Sequence, residues 1–579
     1  MELKSKRDRL QVGLLLLPGL LVFALFTIYP IVKLLYMSFL QWDLGSMQHQ
    51  KFIGLQNYID VLSDKTFRIA FANTLIYTLV TVPGQMILGL LAAVLINAIP
   101  RFRVTFRVIY YIPVITSWVI VSLIFRYIFN TEGMLNYVLT NVLHLTASNI
   151  RWLDGRWGGL TVAMMLGIWK GVGWNLVVFL AALQSVPQEL YESAGIDGCG
   201  GFQKFFYVTL PSIKPTILFA LVMLTIGGFN VFTSIKMITG GKPMHQTETV
   251  LTWMYYKAFN TGRAVVRRCR DAHFPRHSAI QGHEAEGRGQ FVGGTAMHTL
   301  KKRELPSNIL RYVLLLLGGA VSVMPMIYMI STSLKPNGAL YEFPPKFFPA
   351  LDTVTLENYV YIFSQEKFYV NFLNSAIVAI LTVVIAAFVS SALAFCLARF
   401  RFPGRRALFA LVIGTMIIPG TTLIITQYQL ASFFKLTNKL LGLVPFYVAW
   451  VIPFSTFMIK GYIESIPREF DEAVYMDGGS VFTVFFKVIC PLASPAIASV
   501  SIFNFLTAWE EFTWAMTVIN DNAKRTLPIA ISGFFGQHQF TQWGYVFAMS
   551  VASLLPVLII FICCQKYFVS GLQTGGIKG

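Results

Sequence analysis

Long apolar runs alternate with short polar segments along the whole chain, and the runs have the length of membrane spans. At about 1.5 Å of rise per residue, a helix needs about 20 predominantly apolar residues to cross a bilayer. Eleven stretches qualify. In the first half they run from 13 to 36, 70 to 98, 108 to 130, 159 to 183 and 213 to 236; in the second, from about 308 to 333, 373 to 399, 407 to 429, 441 to 463, 493 to 517 and 544 to 569. Eleven are too many for a signal peptide or a single anchor. The pattern predicts an all-α integral membrane protein, five spans followed by six.

Composition agrees. A chain of 579 residues with 55% hydrophobic residues, 13% charged residues and mean hydropathy +0.62 is too apolar for a soluble enzyme, a secreted disulfide scaffold or a disordered protein. The six cysteines (Cys199, Cys269, Cys396, Cys490, Cys563, Cys564) lack the paired spacing of a disulfide framework or a zinc site, and read as reduced and structural. The net charge of +19 matters through its placement. Lys4, Lys6, Arg7 and Arg9 precede the first span; Arg101, Arg103 and Arg107 separate the second and third; Arg399, Arg401, Arg405 and Arg406 fill another short loop. Such clusters mark cytoplasmic loops, which explains the charge better than a nucleic-acid partner does. With the N-terminus inside, the loops 101 to 107 and 187 to 211 lie inside, and 40 to 69 and 131 to 158 outside. Arg151 and Arg156 are then a mild exception.

One segment recurs at an offset of 280. PQELYESAGIDGCGGFQKFFYVTLPSIKP, from 187 to 215, matches PREFDEAVYMDGGSVFTVFFKVICPLASP, from 467 to 495, without a gap, with Pro187/Pro467, Glu192/Glu472, Asp197/Asp477, Gly198/Gly478 and Pro211/Pro491 among the identities. Each copy falls after the fourth span of its half and before the fifth. The chain therefore reads as two homologous modules joined end to end: residues 1–262, an anomalous basic linker at 263–305, and residues 306–579.

The linker carries four of the eight histidines and many Lys and Arg residues, and no part of it suits lipid, where each central Arg costs about 2.5 kcal/mol or more. The first module is thus left with an odd number of spans, and its exit conflicts with the inside start that the second module's charges demand. Two explanations stand. A frameshift has fused two neighbouring genes, since the genetic code permits Asp271 through Ala279 to be read in another frame as Met, Leu, Ile, Phe, Leu, Val, Ile, Leu, Leu. Alternatively, a cytoplasmic linker follows an atypical five-span module.

Each repeat copy holds helix start and stop signals. Ser185 or Ser465 is placed to cap, Pro187 or Pro467 suits a first turn, Glu189 with Glu192 or Glu469 with Glu472 complements the positive helix end, and Gly198 or Gly478 stops it. The expected product is a short cytoplasmic helix-turn-helix. Small residues (Ser193, Ala194, Gly195; Ala473) leave room for a partner, and Phe205 and Phe206, or Phe485 and Phe486, are candidate anchors; without a partner, the same pattern is an amphipathic interfacial loop.

E-S-A-x-x-D-G ending in L-P, and E-A-V-x-x-D-G ending in C-P, resemble the EAA loop of permease subunits in binding-protein-dependent ABC importers. ARFRFPGRR at 398 to 406, LLLLPGLLVFALFTIYPIV at 14 to 32 and GLQTGGIKG at 571 to 579 look like the carbohydrate branch, and the two modules are similar to a maltose-type or glycerol-3-phosphate-type permease pair. The resemblance implies that each loop forms a coupling helix seated in a separate ATPase subunit, through Glu192, Ala194, Asp197 and Gly198 and through Glu472, Ala473, Asp477 and Gly478. Ser193 and Val474 depart from the motif, each by a small change. It further implies an extracytoplasmic solute-binding protein and a bacterial or archaeal cell (inner) membrane.

The chain lacks G-x-x-x-x-G-K-[ST], so it has no phosphate-cradling loop of its own. A permease rather than an enzyme is expected, without cofactor or metal. The fifth spans carry the informative polar positions: offset 280 pairs Phe229 with Trp509 and Asn230 with Glu510, and Glu511 follows. Intramembrane acids are expensive and usually face a wet cavity, and an aromatic ring beside carboxylate and amide groups suits a sugar. Phe229, Asn230, Trp509 and Glu510 are the candidate substrate pathway. The competing reading is an ion-coupled secondary solute transporter, whose midplane site usually needs charges from both halves; a membrane-embedded enzyme lacks any H-E-x-x-H or nucleophile elbow.

Overall fold

A chain in lipid has to satisfy its own backbone, and every expected span is helical in the computed structural model, which describes residues 6–43, 46–261, 305–341, 344–418, 420–537 and 542–575. The first span, α1 (Lys6–Met37), leads to an antiparallel ribbon of β1 (Leu40–Asp43) and β2 (Ser46–Phe52), with Leu40 opposite Phe52. The second, α2 (Lys65–Ala98), starts at Asp64, whose carboxylate accepts the amides of Thr66 at 2.8 Å and Phe67 at 3.4 Å, donors that would otherwise be orphaned. The third comes in two pieces, α3 (Arg103–Tyr111) and α4 (Trp118–Ile128). Pro113 removes an amide between them, and Ser117 caps the restart. After α5 (Arg156–Gln184) and the short α6 (Gln188–Ile196), the fifth span is again divided, into α7 (Lys214–Phe229) and α8 (Thr233–Ile238), followed by α9 (Val250–Tyr256).

The second half repeats this order. It has α10 (Leu305–Ser333), α11 (Phe368–Arg399), a divided third span of α12 (Arg405–Gly414) and α13 (Ile424–Phe433), and α14 (Val444–Ser465). The short α15 (Glu469–Met476) precedes a divided fifth span, α16 (Ser494–Glu510) and α17 (Thr513–Val518). Then come α18 (Leu527–Gln537) and a sixth span, α19 (Trp543–Gly575). Among the described residues eight helices are long and apolar enough to cross a bilayer, or ten if each bent pair is one span; of the eleven expected, the third span of the first module is present only as the short pieces α3 and α4, and interruptions fall in the third and fifth spans of both modules.

Packing ties the modules together by exchanging their first helices. By sequence α1 belongs to the first module, yet it lies against α11 and α14: a Cβ on Gly19 would come within 3.2 Å of Val389, and Phe26 meets Phe446 edge-on with ring centres 4.9 Å apart. The Phe26 carbonyl also accepts the Gln427 amide at 3.0 Å. In the other direction, the α10 carbonyl of Leu315 accepts the Tyr110 hydroxyl at 3.1 Å, close to Gly318, where a Cβ would lie 2.2 Å from that hydroxyl. Lipid supplies no hydrophobic drive between helices, so such close approach at small residues is what holds the bundle.

Contacts also fix which segments share an end. Helices α2 and α5 run parallel, since Arg156 at the start of α5 donates to Asn73 near the start of α2 while Gly89, further along, faces Asn175. Arg399 at the end of α11 meets Asp471 of α15, the Val481 amide donates to Gln11 of α1, and Tyr312 near the start of α10 exchanges hydrogen bonds with Arg101. The basic clusters at 6–9, 101–107 and 399–406 therefore gather at the end that holds both repeat loops. The exit of the first module is at the opposite end: just past α9, Lys257 pairs with Asp64 at the start of α2, 3.4 Å away. The conflict at the junction is thus present in the fold. The 263–305 segment lies, save for Leu305, outside the described residues.

Close packing between α2 and α5 has a measurable cost if it is violated. A Cβ on Gly89 would sit 2.4 Å from Asn175 Cβ, whereas Gly13 has nothing within 4 Å. We expect Gly89→Leu to destabilise the folded chain by about 1–3 kcal/mol or more and Gly13→Leu to be nearly neutral, compared as unfolding midpoints in detergent.

Candidate functional site

The two repeat loops close in the same way. In α6 the Gly198 amide donates to Gly195 O at 3.2 Å and the Cys199 amide to Ala194 O at 2.9 Å; in α15 the Gly478 amide donates to Tyr475 O at 3.1 Å and the Gly479 amide to Val474 O at 2.8 Å. This paired closure needs a left-handed residue after the cap, and Gly198 and Gly478 have φ of +77° and +75° with open space around them. Asp197 and Asp477 are the C-caps. The starts differ from expectation: the Ser185 hydroxyl donates to Ala182 O and the Ser465 hydroxyl to Tyr462 O, so both serines finish the preceding span, and Pro187 and Arg468 hold the N-cap positions.

Glu192, Asp197 and Gly198 are exposed, as are Glu472, Ala473, Asp477 and Gly478, while Ala194 is buried under its loop. The outward face also carries apolar side chains at matched positions, Leu190 with Phe470 and Ile196 with Met476, the last two 88% and 87% exposed. A short helix with apolar residues turned away from its own protein is a docking surface in form. Those four positions escaped the sequence reading because single large apolar residues at a loop tip look unremarkable. The phenylalanines divide their roles: Phe485 is buried against Phe395 and Phe388 and fixes the loop to the bundle, whereas Phe206 and Phe486 remain partly open.

The loops differ in how they are held. Asp471 makes a buried ion pair with Arg399 at 2.8 Å, and that guanidinium also donates to Ile466 O. Burial pushes the Asp471 carboxyl upward, against the pull of Arg399 and Arg468. The N-terminal part of α1 adds Val12 and Leu15 to the same apolar cluster. In the first module the position matching Asp471 is Tyr191, whose hydroxyl meets Thr209 Oγ1 at 3.0 Å.

Deeper in the bundle, both fifth spans break one residue after the matched pair Phe229/Trp509 or immediately beyond it. Asn230 is the C-cap of α7, and Phe229 is 36% exposed. Trp509 is buried: its indole N–H donates to Ser553 O, and its ring packs on Phe372 and Phe505. The two acids divide. Glu511 accepts the Trp514 and Ala515 amides at 2.7 and 3.0 Å, capping α17, and the Tyr447 hydroxyl at 2.6 Å. Glu510 instead approaches the other module, 4.0 Å from Lys170 Nζ of α5. Lys170 donates to the carbonyls of Pro113, Val114 and Thr116 in the gap of the third span and lies over the Trp118 ring. Lys170 was missing from the sequence-based pathway, although a lysine amid WKGVGW in an apolar run is itself a signal. A small cavity beside the pair is walled by Ile115, Ser117 and Ile120 of one module and Trp509, Leu527 and Ile531 of the other.

The duplication of the helical bundle is also found by sequence comparison. The profile of the family described as "Binding-protein-dependent transport system inner membrane component" matches twice, over residues 85–266 and 389–573. The chain belongs to this family. It is 32% identical over 260 residues to the diacetylchitobiose uptake system permease protein of Streptomyces coelicolor, covering 44% of this chain and 92% of that protein. It is also 32% identical over 278 residues to the trehalose/maltose transport system permease protein of Thermococcus litoralis, covering 47% of this chain and 99% of that one. A solved bacterial ABC transporter involved in import of the acidic polysaccharide alginate aligns over 47% of this chain and 100% of its own, with TM-score 0.40 and 22% identity. Each permease relative fills less than half of this chain, as expected of two fused family modules in a multi-pass membrane protein.

The unequal anchoring of the loops leads to unequal sensitivity. Asp471→Asn leaves Arg399 buried without its countercharge, a change that typically costs about 3–5 kcal/mol, whereas Tyr191→Phe removes a neutral hydrogen bond worth about 1 kcal/mol. We expect a much larger drop in thermal midpoint for the first than for the second; equal drops would contradict the asymmetry.

Proposed function

We propose that the chain is the translocation component of an ATP-driven importer of sugars or sugar-like solutes, with both permease modules, 1–262 and 306–579, in one polypeptide and 263–305 no natural domain. The observation that carries this reading is the pair of identically closed loops, α6 and α15, at one end of the bundle with their small, acidic and apolar residues turned outward. Glu192, Asp197 and Gly198, over the buried Ala194, and Glu472, Ala473, Asp477 and Gly478 form two seats for separate ATPase subunits, which supply the nucleotide chemistry. Glycine at 198 and 478 keeps the turn open to a partner's approach. The loops are then cytoplasmic, and an extracytoplasmic solute-binding protein delivers solute at the opposite end, in the inner membrane of a bacterium or archaeon. Sugar uptake is named for the diacetylchitobiose and trehalose/maltose relatives, which supports the solute class.

Within the bundle, Phe229, Asn230, Trp509 and Glu510 mark the pathway, with Trp509 as a packed wall and Glu510 as the polar contact. The breaks in the third and fifth spans are the hinge positions that allow movement of the loops to reach this seam. One observation favours the ion-coupled alternative: Lys170 and Glu510 supply opposite charges from the two halves. Uptake that follows a proton gradient and ignores ATP depletion would establish that reading instead.

Gly198→Val and Gly478→Val test the coupling. Each forces a β-branched residue into left-handed backbone at a cost of about 1–2 kcal/mol and fills the open side of the turn. We expect the full transporter to stay folded by gel filtration while solute-stimulated ATP hydrolysis falls at least tenfold. Unchanged stimulation in both variants would overturn the coupling role.

A further inference from the structure

Among the described residues, Lys170 and Glu510 form an ion pair between the two modules, and Glu510 holds one of the matched positions proposed above as the pathway. We propose that this pair is a two-sided charge gate that makes the pathway selective for uncharged, hydroxyl-rich solutes over anionic ones, an inference that rests on the importer reading above.

The two halves of the gate are held differently. Lys170 is 5% exposed and belongs to its own module through the carbonyls of Pro113, Val114 and Thr116. Those oxygens lie in the interruption of the third span, where the Pro113 carbonyl also accepts the Thr116 amide, so the ammonium completes that break and stays with it. Glu510 ends α16, and its ionic partner is Lys170. Its neighbour Glu511 shows what a committed carboxylate looks like, capping α17 and accepting from Tyr447. At 4.0 Å, the Lys170–Glu510 contact is also long beside the 2.8 Å of Arg399–Asp471. A small separation of the modules breaks it, and the same interface holds a small cavity walled by Ile115 and Ser117 on one side and Trp509, the residue before Glu510, and Leu527 on the other.

When the seam opens, the losses are unequal. Lys170 keeps its three carbonyls, while Glu510 is left facing the opening with no positive partner. A neutral sugar compensates by donating hydroxyl hydrogen bonds to the carboxylate. A phosphate or uronate places a like charge against Glu510 instead and is rejected by repulsion. The gate therefore selects by the charge that stays uncovered, and Lys170, tied to the carbonyls of its own module, offsets that charge only while the seam is closed.

The full chain, assembled with its ATPase subunits in lipid nanodiscs, can be equilibrated with radiolabelled trehalose, glucuronate or glucosamine at millimolar concentration. We expect the parent chain to retain trehalose over glucuronate. Glu510→Gln should move the glucuronate-to-trehalose ratio at least tenfold toward the anion, and Glu510→Asp should leave it near the parent value. Lys170→Gln should move the glucosamine-to-trehalose ratio at least tenfold toward the cation, a result obtainable even if one variant at 510 fails to fold. Retention with ratios unmoved in the folded variants overturns the gate and leaves the importer reading standing. Retention of none of the three solutes by any assembly overturns the pathway itself and the gate with it.

Discussion

Interrupting a helix inside a bilayer frees carbonyls on one side of the gap and amides on the other, and no water is there to satisfy them. This chain interrupts four of its spans, and polar residues in its membrane interior are placed to answer that demand. Lys170 takes the carbonyls of Pro113, Val114 and Thr116; Arg126 takes those of Met237 and Ile238 at the end of α8; Glu511 takes the amides that open α17. Arg126 meets a helix C-terminus and Glu511 an N-terminus, the sense that the helix dipole favours, while Lys170 answers the carbonyls of the turn between α3 and α4. Each of these charges is thereby committed to backbone. Glu510 is the one whose position is explained by its partner across the seam rather than by a gap in its own helix.

The same accounting explains why near-identical modules behave differently. The second loop is bolted by Arg399–Asp471 and covered by α1, which arrives from the first module; the first loop has a tyrosine where the second has that aspartate. Exposed Phe202 on the first loop corresponds to the better-covered Phe482 on the second, while Tyr207 and its counterpart Lys487 are both exposed. A force applied at α15 is thus carried by a buried ion pair straight into α11, while a force at α6 passes chiefly through the chain connection to α5 and α7. Two loops of one sequence pattern need not be equivalent levers.

Much of this was legible in the sequence, for physical reasons that can be named. Span positions follow from hydropathy because lipid penalises every exposed polar residue alike. The end of α6 and α15 follows from Gly198 and Gly478, since a left-handed turn after a helix selects glycine. The interruptions were hidden because apolar residues flank them on both sides and hydropathy reports burial, not backbone continuity. Ser185 and Ser465 misled because a hydroxyl beside a helix end satisfies a carbonyl behind it as well as an amide ahead. Lys170 is a single basic residue in an otherwise apolar span, and burial of Trp509 and Phe485 is set by neighbours distant in sequence, so neither the lysine's partners nor that burial follows from a local pattern. Partners at separations such as 170 and 510 are set by tertiary packing, which no local pattern encodes.

The junction carries the remaining tension. In the second module, α16 is covered by α19, and Trp509 donates to the Ser553 carbonyl on that helix. In the first, the matching α7 leaves Leu218, Phe219, Leu221 and Val222 exposed, and the described chain ends at the end of the bundle opposite to where α10 begins. Homology between the modules assigns a covering helix to that face, and connectivity requires a crossing in that same stretch. Two independent requirements, one from packing and one from topology, therefore fall on the place where the amino-acid pattern turns from apolar to basic. The Asp271 to Ala279 stretch, which the genetic code permits to be read as apolar in another frame, lies where both requirements fall, whereas a linker that stays on one side meets neither.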